Sequence, residues 1–247
     1  MVSVPPSDRP VRDERLRDEP VRDETVLDNP ARSALLGPHS RFAETHGNAL
    51  RYPADVAPWC ALPDDPTISD WEDAAELVGP DGSITLATVT VEPPEGWTSA
   101  MRITGVQMIG DAVEGSTDPR VVELDDSDVD DMLDLVERTR PGPFRRHTID
   151  LGTYLGIRHD GKLVAMAGER MHPPGWSEVS AVCTDPEFRG EGLARAVVLA
   201  VVDVIRGRGD LPFLHASADN VSAIRLYENA GFTRRRKAIF QAVRAPR

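Results

Sequence analysis

The fold is decided by the segment Val182-Cys183-Thr184-Asp185-Pro186-Glu187-Phe188-Arg189-Gly190-Glu191-Gly192-Leu193-Ala194, where a predicted strand over residues 178–184 meets a predicted helix over residues 192–206. At such a junction, the free backbone N–H groups of the first helical turn and the positive end of the helix dipole bind phosphate groups. Glycines let a ligand approach the backbone closely, and Arg189 adds a positive charge. The same glycine pair is equally typical of a plain turn between a strand and a helix, so the segment alone leaves both interpretations open.

The residues around this segment predict a mixed α/β fold. From residue 121 onward, β-branched runs and helical stripes of apolar residues follow the order strand, helix, three strands, helix, strand, helix, strand. The predicted strands are residues 121–124, 154–158, 163–170, 178–184, 213–217 and 232–243. The predicted helices begin at Ser127, Gly192 and Val221, and an Asp160-Gly161 turn joins the second strand to the third.

The first half of the chain has a globular pattern with few chemical signatures. Residues 1–30 contain mixed charges and few apolar positions, which is typical of a solvated tail. The run Ser69-Asp70-Trp71-Glu72 has the spacing of a helix capping box, and residues 84–91 and 101–109 predict two strands. A polar stretch at residues 115–119 predicts a boundary. The expected division is a tail over residues 1–30, an α/β region over 31–118 and a second domain over 119–247.

The composition argues against several classes of protein. The 247 residues have a formal net charge of −13, whereas a nucleic-acid or anionic-membrane surface needs a basic patch. The basic run Arg234-Arg235-Arg236-Lys237 is therefore interpreted as solvated charge. Cys60 and Cys183 are too few for a disulfide framework and have no metal-ligand spacing, so we expect no metal. Because no apolar run is long enough for a membrane span or a signal peptide, we expect a cytoplasmic protein.

Two spaced motifs carry a resemblance to a known family. The first, Arg189-Gly190-Glu191-Gly192-Leu193-Ala194, resembles the pyrophosphate-binding motif of the GNAT N-acetyltransferase superfamily, which reads Arg or Gln, two residues, Gly, one residue, then Gly or Ala. The second, Asn220-Val221-Ser222-Ala223-Ile224-Arg225-Leu226-Tyr227-Glu228-Asn229-Ala230-Gly231-Phe232, resembles the family pattern Asn-x-x-Ala-x-x-Leu-Tyr-x-x-x-Gly-Phe. Both motifs are complete and in the family's order. The resemblance covers residues 121–247, with its motifs between residues 178 and 232 and only element order before them.

The resemblance implies a GNAT acyl-CoA N-acyltransferase fold for the second half, with acetyl-CoA as co-substrate. It leaves the smaller α/β first half as either a degenerate copy of the fold or a substrate-shaping domain. In the family, the strand before the phosphate loop splays from the next strand, here residues 213–217, and its backbone pairs with the pantetheine arm. The expected backbone contacts are Val182, Cys183 and Thr184. The residues expected to hold the pyrophosphate are Arg189, Gly190, Glu191, Gly192, Leu193 and Ala194.

The second motif implies a general acid. Tyr227 occupies the position from which the family's tyrosine donates a proton to the departing CoA thiolate. The spacing of Ala223, Leu226, Tyr227 and Ala230 also predicts an apolar helix stripe, so packing is the alternative for the ring. Asn220 is predicted to cap the helix and to touch the CoA arm.

The attacking amine must lose a proton, either to a base or to a water chain. Glu178, at the start of the cofactor strand, is the first candidate base, and Glu169 on the preceding strand is the second. His215, on the splayed strand, is a candidate proton carrier, with a packed strand histidine as the alternative. Cys183 raises the option of an acetyl-cysteine intermediate, but the motif implies direct attack within a ternary complex.

The resulting hypothesis is an N-acetyltransferase that transfers the acetyl group of acetyl-CoA to an amine. One alternative is a non-catalytic acyl-CoA-binding regulatory module, against which the intact Tyr227 argues. Another is an acetyltransferase for protein amino termini or lysines rather than for small amines. The acceptor pocket is expected from residues 141–151 and 171–176 together with the first half, so the motifs leave the acceptor and the oligomeric state open.

Overall fold

A mixed sheet of eleven strands runs through the part of the chain that our computed structural model describes, residues 22–88 and 90–247. The strands, in chain order, are β1 (Glu44–His46), β2 (Ala49–Arg51), β3 (Trp59–Ala61), β4 (Ser83–Ala87), β5 (Thr98–Ile109), β6 (Val121–Leu124), β7 (Tyr154–His159), β8 (Lys162–Glu169), β9 (Trp176–Thr184), β10 (Leu211–Ser217) and β11 (Thr233–Arg244). Across the sheet they follow the order β1-β2-β3-β4-β11-β5-β10-β9-β8-β7-β6. Two neighbouring pairs are parallel, β3 with β4 and β9 with β10, and the other pairs are antiparallel.

Helices cover both faces of the sheet. The α-helices in the described residues are α1 (Pro30–Leu35), α2 (Ile68–Val78), α3 (Val129–Thr139), α4 (Leu193–Gly207) and α5 (Val221–Ala230). Short 3₁₀-helices span Glu24–Leu27, Ser40–Phe42, Asp126–Asp128, Thr148–Leu151 and Pro186–Phe188. Along β8, Ala165 and Ala167 pack in the cluster around α4, whereas Met166 packs in the cluster around α3. Because alternate strand residues point to opposite faces, α3 and α4 lie on opposite sides of the sheet.

The order of elements predicted from residue 121 onward is confirmed, with bounds that differ by a few residues. In the first half, α2 begins earlier than predicted. Its cap is Thr67, whose backbone N–H donates to Asp70 at 2.7 Å while the Thr67 hydroxyl accepts from the Asp70 N–H. Thr67 and Asp70 thus form a capping box, which begins two residues before the box predicted at Ser69. The predicted strand over residues 84–91 ends at Ala87 as β4, because Thr88 adopts a left-handed φ of 68° that breaks the extended backbone.

The two halves of the chain share one sheet. Strand β5 belongs to the first half by the predicted boundary at residues 115–119, yet it lies between β10 and β11. Its residue Ile109 pairs with Phe213 on one side and with Thr233 on the other. The first half therefore extends the sheet of the second half instead of forming its own. Strand β5 supplies hydrogen-bond partners for the backbone groups of both β10 and β11.

Residues 22–30 differ from the predicted solvated tail, whereas residues 1–21 lie outside the described part. Leu27 is fully buried in a cluster with α1 and the β9–β10 region. The basic run near residue 235 holds this segment, since Arg235 donates to Asp28 at 2.8 Å and Arg236 donates to Asp28 at 2.6 Å. These arginines are thus paired within the chain, because the segment brings carboxylates to them.

We predict that Leu27→Ala lowers the free energy of unfolding by about 2–5 kcal/mol, because it leaves a cavity in a packed cluster. Leu36→Ala is the matched control, because the Leu36 side chain is 62% exposed; its effect should stay within about 0.5 kcal/mol. Urea denaturation of the two variants and the wild type measures both values. Equal stability of all three proteins would contradict the packing of this segment.

Candidate active site

The central feature of the site is a split between two parallel strands. Strands β9 and β10 pair only along Trp176 to Val179 of β9 and Leu211 to Leu214 of β10. Beyond Val179 the strands separate, as predicted, and a cavity of about 800 Å³ opens between them. The backbone groups of residues 180–184 on this edge have no partner strand among the described residues. They are therefore available to pair with an extended ligand.

A bulge in β9 deepens the split. On the β8 side, Cys183 pairs with Met166 and Ser180 pairs with Gly168, so two residues of β9 stand opposite the single Ala167. One of them, Ala181, has a φ of 53°, a left-handed conformation that costs a residue with a Cβ roughly 1–2 kcal/mol. Such a bulge leaves a backbone group out of the ladder and re-aims it. The other bulge residue is Val182, one of the predicted backbone contacts of the cofactor.

The glycine loop lies at the N-terminal end of α4 and lines the same cavity. Gly190 has a φ of 89°, and Gly192, the N-cap of α4, has a φ of 77°. A Cβ at either position would meet no atom within 4 Å, so the backbone conformation, not crowding, requires glycine. The loop is held at its start by Asp185, which accepts from the Glu187 N–H at 3.1 Å and pairs with Lys162 at 2.9 Å.

The structure brings most of the predicted site residues to the cavity. Those that line it are Val182, Cys183, Thr184, Arg189, Gly190, Gly192, Leu193, Ala194, His215, Asn220 and Tyr227. Glu191 and Glu178 do not line it. The sequence analysis missed Arg170, Arg140 and Ser217, which do. Arg170 was detectable in principle, because antiparallel pairing of the consecutive predicted strands over residues 163–170 and 178–184 places Arg170 near Glu178.

Helix α5 presents the residues of the second motif to the cavity. The Asn220 side chain accepts from the Ala223 N–H at 3.1 Å, which confirms the predicted cap. Tyr227 is 7% exposed, and its ring packs edge-on against Phe232 with centroids 6.1 Å apart. Burial raises the pKa of Tyr227. The ring is thus part of the core while its hydroxyl stays protonated at the cavity wall.

Cys183 presents its backbone to the cavity and its thiol to the core around α3. The residue is 6% exposed and packs in the cluster that contains Met132 and Met166. Burial raises the pKa of the Cys183 thiol to about 11. At neutral pH the sulfur is therefore a thiol and a poor nucleophile, which argues against an acetyl-cysteine intermediate.

Glu178, the first candidate base, is held in a buried ion pair. Its carboxylate accepts from Arg170 at 2.6 Å and 2.8 Å and from His215 Nδ1 at 2.7 Å. Burial alone would raise the pKa of Glu178, but Arg170 and then His215 outweigh it and lower the pKa to about 2. A carboxylate with that pKa and with both oxygens occupied is a weak base, so the geometry argues against the predicted role of Glu178.

His215 and Glu169 are also occupied by internal partners. The Gln107 amide N–H₂ donates to the Leu27 carbonyl oxygen at 2.8 Å and lies 3.1 Å from His215 Nε2. Because the Gln107 oxygen accepts from Arg235 at 2.8 Å, its nitrogen faces the histidine; His215 Nε2 therefore accepts, and Nδ1 carries the proton. Glu169 is 2% exposed and accepts from Arg208 at 2.9 Å, outside the cavity.

Residues 22–88 and 90–247 contain neither a metal-ligand cluster nor a membrane-spanning helix. No group of three or more His, Cys, Asp or Glu side chains in these residues is arranged to hold a metal ion. None of the helices in the same residues has the length and apolar character needed to cross a lipid bilayer.

The chain is similar to a known family model and to a solved structure. The family model described as FR47-like protein matches residues 154–241. The crystal structure of a putative acetyltransferase from the GNAT family of Novosphingobium aromaticivorans has a TM-score of 0.81 and 38% sequence identity, and the match covers 88% of this chain and 97% of that one.

Curated relatives match over a shorter region. Mycothiol acetyltransferase of Thermobispora bispora is 45% identical over 84 residues, which are 34% of this chain and 28% of that protein. N-alpha-acetyltransferase RimI of Mycobacterium tuberculosis is 36% identical over 84 residues, which are 33% of this chain and 52% of that protein. The chain thus spans less than two thirds of either relative.

We predict that Glu178→Gln lowers the free energy of unfolding at pH 7 by about 3–5 kcal/mol, because it leaves Arg170 buried without its counter-charge. Folding lowers the pKa of Glu178 from 4.5 to about 2, so the carboxylate stabilises the fold above pH 4.5 and loses that effect as the pH falls through 2. The difference between the wild type and the variant should therefore shrink as the pH falls below 4.5.

Urea titrations at several pH values between 7 and 3 measure this difference. Glu228→Gln is the control, because Glu228 pairs with Arg234 at the surface and its side chain is 44% exposed; its effect should stay below about 1 kcal/mol. A large Glu178→Gln difference that does not change with pH would contradict the ion pair.

Proposed function

Because this chain belongs to the GNAT family, we propose that it is an N-acetyltransferase that moves the acetyl group of acetyl-CoA to an amine. The observation that carries the proposal is the split between β9 and β10, which joins an unpaired strand edge to the glycine loop of α4 in one cavity. An acyl-CoA needs both, since its pantetheine arm carries amide groups and its pyrophosphate carries negative charge.

In this proposal acetyl-CoA lies along β9. The amides of its pantetheine arm exchange hydrogen bonds with the backbone of Val182, Cys183 and Thr184. The pyrophosphate rests on the residues from Arg189 to Ala194, all of which except Glu191 line the cavity. The N–H groups of the first turn of α4 and the Arg189 side chain bind it. The thioester then lies near the bulge at Ala181 and Val182, where an N–H group stabilises the developing oxyanion.

The chemistry follows from this placement. The lone pair of a neutral amine attacks the thioester carbonyl carbon, so that a C–N bond forms and the carbonyl oxygen takes the negative charge. The C–S bond then breaks, and Tyr227 donates its hydroxyl proton to the CoA sulfur. The proton lost by the amine nitrogen restores the tyrosine through water, and the products are an N-acetyl amine and CoA.

Water in the open cavity, rather than a protein carboxylate, is the proposed acceptor of the amine proton. Among the described residues, no Asp or Glu side chain lines the cavity. Glu178 lies behind the cavity wall with its oxygens bound by Arg170 and His215. The Glu178 side chain thereby positions Arg170, and the amine reacts in its neutral form.

The binding of acetyl-CoA is tested with Gly192→Ala. We expect its affinity for acetyl-CoA to fall ten-fold or more, because a methyl group at a φ of 77° disturbs the loop backbone that faces the pyrophosphate. Gly209→Ala is the matched control, because Gly209 follows the other end of α4, has a φ of 87° and also has open space around it.

Both variants should lose a similar free energy of unfolding, about 1–2 kcal/mol. Only Gly192→Ala should weaken binding in isothermal titration calorimetry. Equal affinities of the two variants would argue against the glycine loop as the pyrophosphate site.

Catalysis is tested by thiol release from acetyl-CoA over a panel of amines and peptides. We expect Tyr227→Phe to lower kcat by roughly 10²- to 10⁴-fold while acetyl-CoA affinity stays within about two-fold, because only the proton donor is removed and the buried ring is kept. Binding of acetyl-CoA without turnover of any acceptor would favour the non-catalytic module. Turnover of peptides alone would favour a protein acetyltransferase.

A further inference from the structure

Arg170 is a buried guanidinium with one side open to the cavity. Its side chain is 11% exposed, and its plane lies over the Trp59 ring at 4.8 Å. Nε and one terminal nitrogen, Nη2, donate to Glu178. The other terminal nitrogen, Nη1, makes no hydrogen bond with any residue in 22–88 or 90–247, and the residue lines the cavity. The fixed guanidinium of Arg170 thus offers the two N–H groups of Nη1 to a ligand at this end of the cavity.

This guanidinium stands at the far end of the split from the glycine loop. Strands β9 and β10 separate after Val179 and Leu214, and the backbone N–H of Arg170 donates to the carbonyl oxygen of Glu178, just before that point. The glycine loop follows the other end of β9. A cofactor that enters along residues 182–184 therefore leaves the Arg170 end for the second substrate.

The charge of the cavity wall points to an anionic partner. Arg140, Arg170 and Arg189 line it, whereas no Asp or Glu of the described chain does, although the protein as a whole has a net charge of −13. Arg140 and Arg189 make no ion pair within the described residues. Arg189 belongs to the proposed pyrophosphate site, so at the acceptor end a cationic amine without an acidic group would meet the positive charge of Arg170, which disfavours it.

We propose that the amine acceptor carries an anionic oxygen group, a carboxylate or a phosphate, that accepts hydrogen bonds from Arg170 Nη1. This inference rests on the proposed acetyltransferase function and names the class of its acceptor. Glu178 and Trp59 hold the guanidinium in place before the substrate arrives, so little ordering is needed on binding. The positive charge of Arg170 also disfavours the ammonium form of the bound amine, which suits a site without a carboxylate base.

The test compares matched acceptors in the thiol-release assay with the full chain. Each ω-amino carboxylate, in a series of increasing chain length, is paired with its carboxamide and with the corresponding amino phosphonate. We expect kcat/KM to be at least ten-fold higher for an acid than for its amide, since hydrogen bonds to charged groups are the stronger ones. The better of the carboxylate and phosphonate arms identifies the anion.

Two outcomes separate failure of this inference from failure of the proposed function. Turnover of amides or simple amines at rates equal to the acids would overturn the anionic acceptor and leave the acetyltransferase in place. Absence of thiol release with every amine, while acetyl-CoA still binds, would overturn the acetyltransferase and this inference with it.

The assignment to Arg170 is tested by replacing the buried pair together, Arg170→Met with Glu178→Met, because apolar replacement of both partners preserves folding better than removal of one. We expect the ratio of kcat/KM for acid over amide to fall to about one, through a higher KM for the acid, with the KM for acetyl-CoA unchanged. Arg170→Lys keeps the charge but not the planar fork, and should lose part of the preference.

Arg158→Met is the control variant, because Arg158 pairs with Asp128 and Asp131 outside the cavity. It should keep the preference of the wild type for acids. A double variant that loses activity equally for acids and amides, or that keeps the wild-type ratio, would overturn the role of Arg170.

Discussion

The separation of β9 from β10 after Val179 is the constraint on which the rest of the molecule depends. Parallel strands in the middle of a sheet normally satisfy each other's backbone groups, and unsatisfied groups in a protein interior are costly. Helices α3 and α4 pack on β9 from opposite faces, and the bulge at Ala181 shifts the register of β9 with β8 just beyond the point where β9 leaves β10. The cavity, the exposed strand edge and the approach to the glycine loop all follow from this one departure from regular pairing.

A chain of buried polar side chains closes the deep end of the split. It runs from Arg170 through Glu178, His215 and Gln107 to Arg235, with hydrogen bonds of 2.6–3.1 Å between successive members. Buried polar networks of this kind are stable only when every member is satisfied, and each member here except Arg170 has its charged or polar atoms occupied within the chain. Arg170 and His215 both line the cavity, but both ring nitrogens of His215 have partners in the network. Arg170 is therefore the position at which a ligand can complete the network.

This hydrogen-bond network also explains what the first half of the protein contributes to the site. Gln107 lies on β5, and Leu27 and Asp28, which bind Gln107 and Arg235, lie in the segment at residues 22–30. The first half therefore supplies both a strand next to β10 and the partners that orient His215. Its part in the site is to hold the inner end of the cavity, and its strands β1 to β4 extend the same sheet outward from β11.

The sequence by itself determined the features that depend on neighbouring residues. The family motifs, the strand-to-helix junction with its glycines and the cap at Asn220 are local patterns, and the order of elements from residue 121 follows from their periodicity. The mixed α/β fold and the family were therefore predictable, and both predictions are confirmed.

Only the tertiary structure decided which residues face each other across the sheet. It brought β5 between β10 and β11, buried Leu27 and placed Arg170 and His215 on the carboxylate of Glu178. The reason is physical: strand pairing joins residues far apart in the chain, and the charge state of a buried group depends on those distant neighbours. Glu178 is visible in the sequence as a carboxylate on the cofactor strand, but Arg170 and His215 lower its pKa to about 2, which argues against a role as the base.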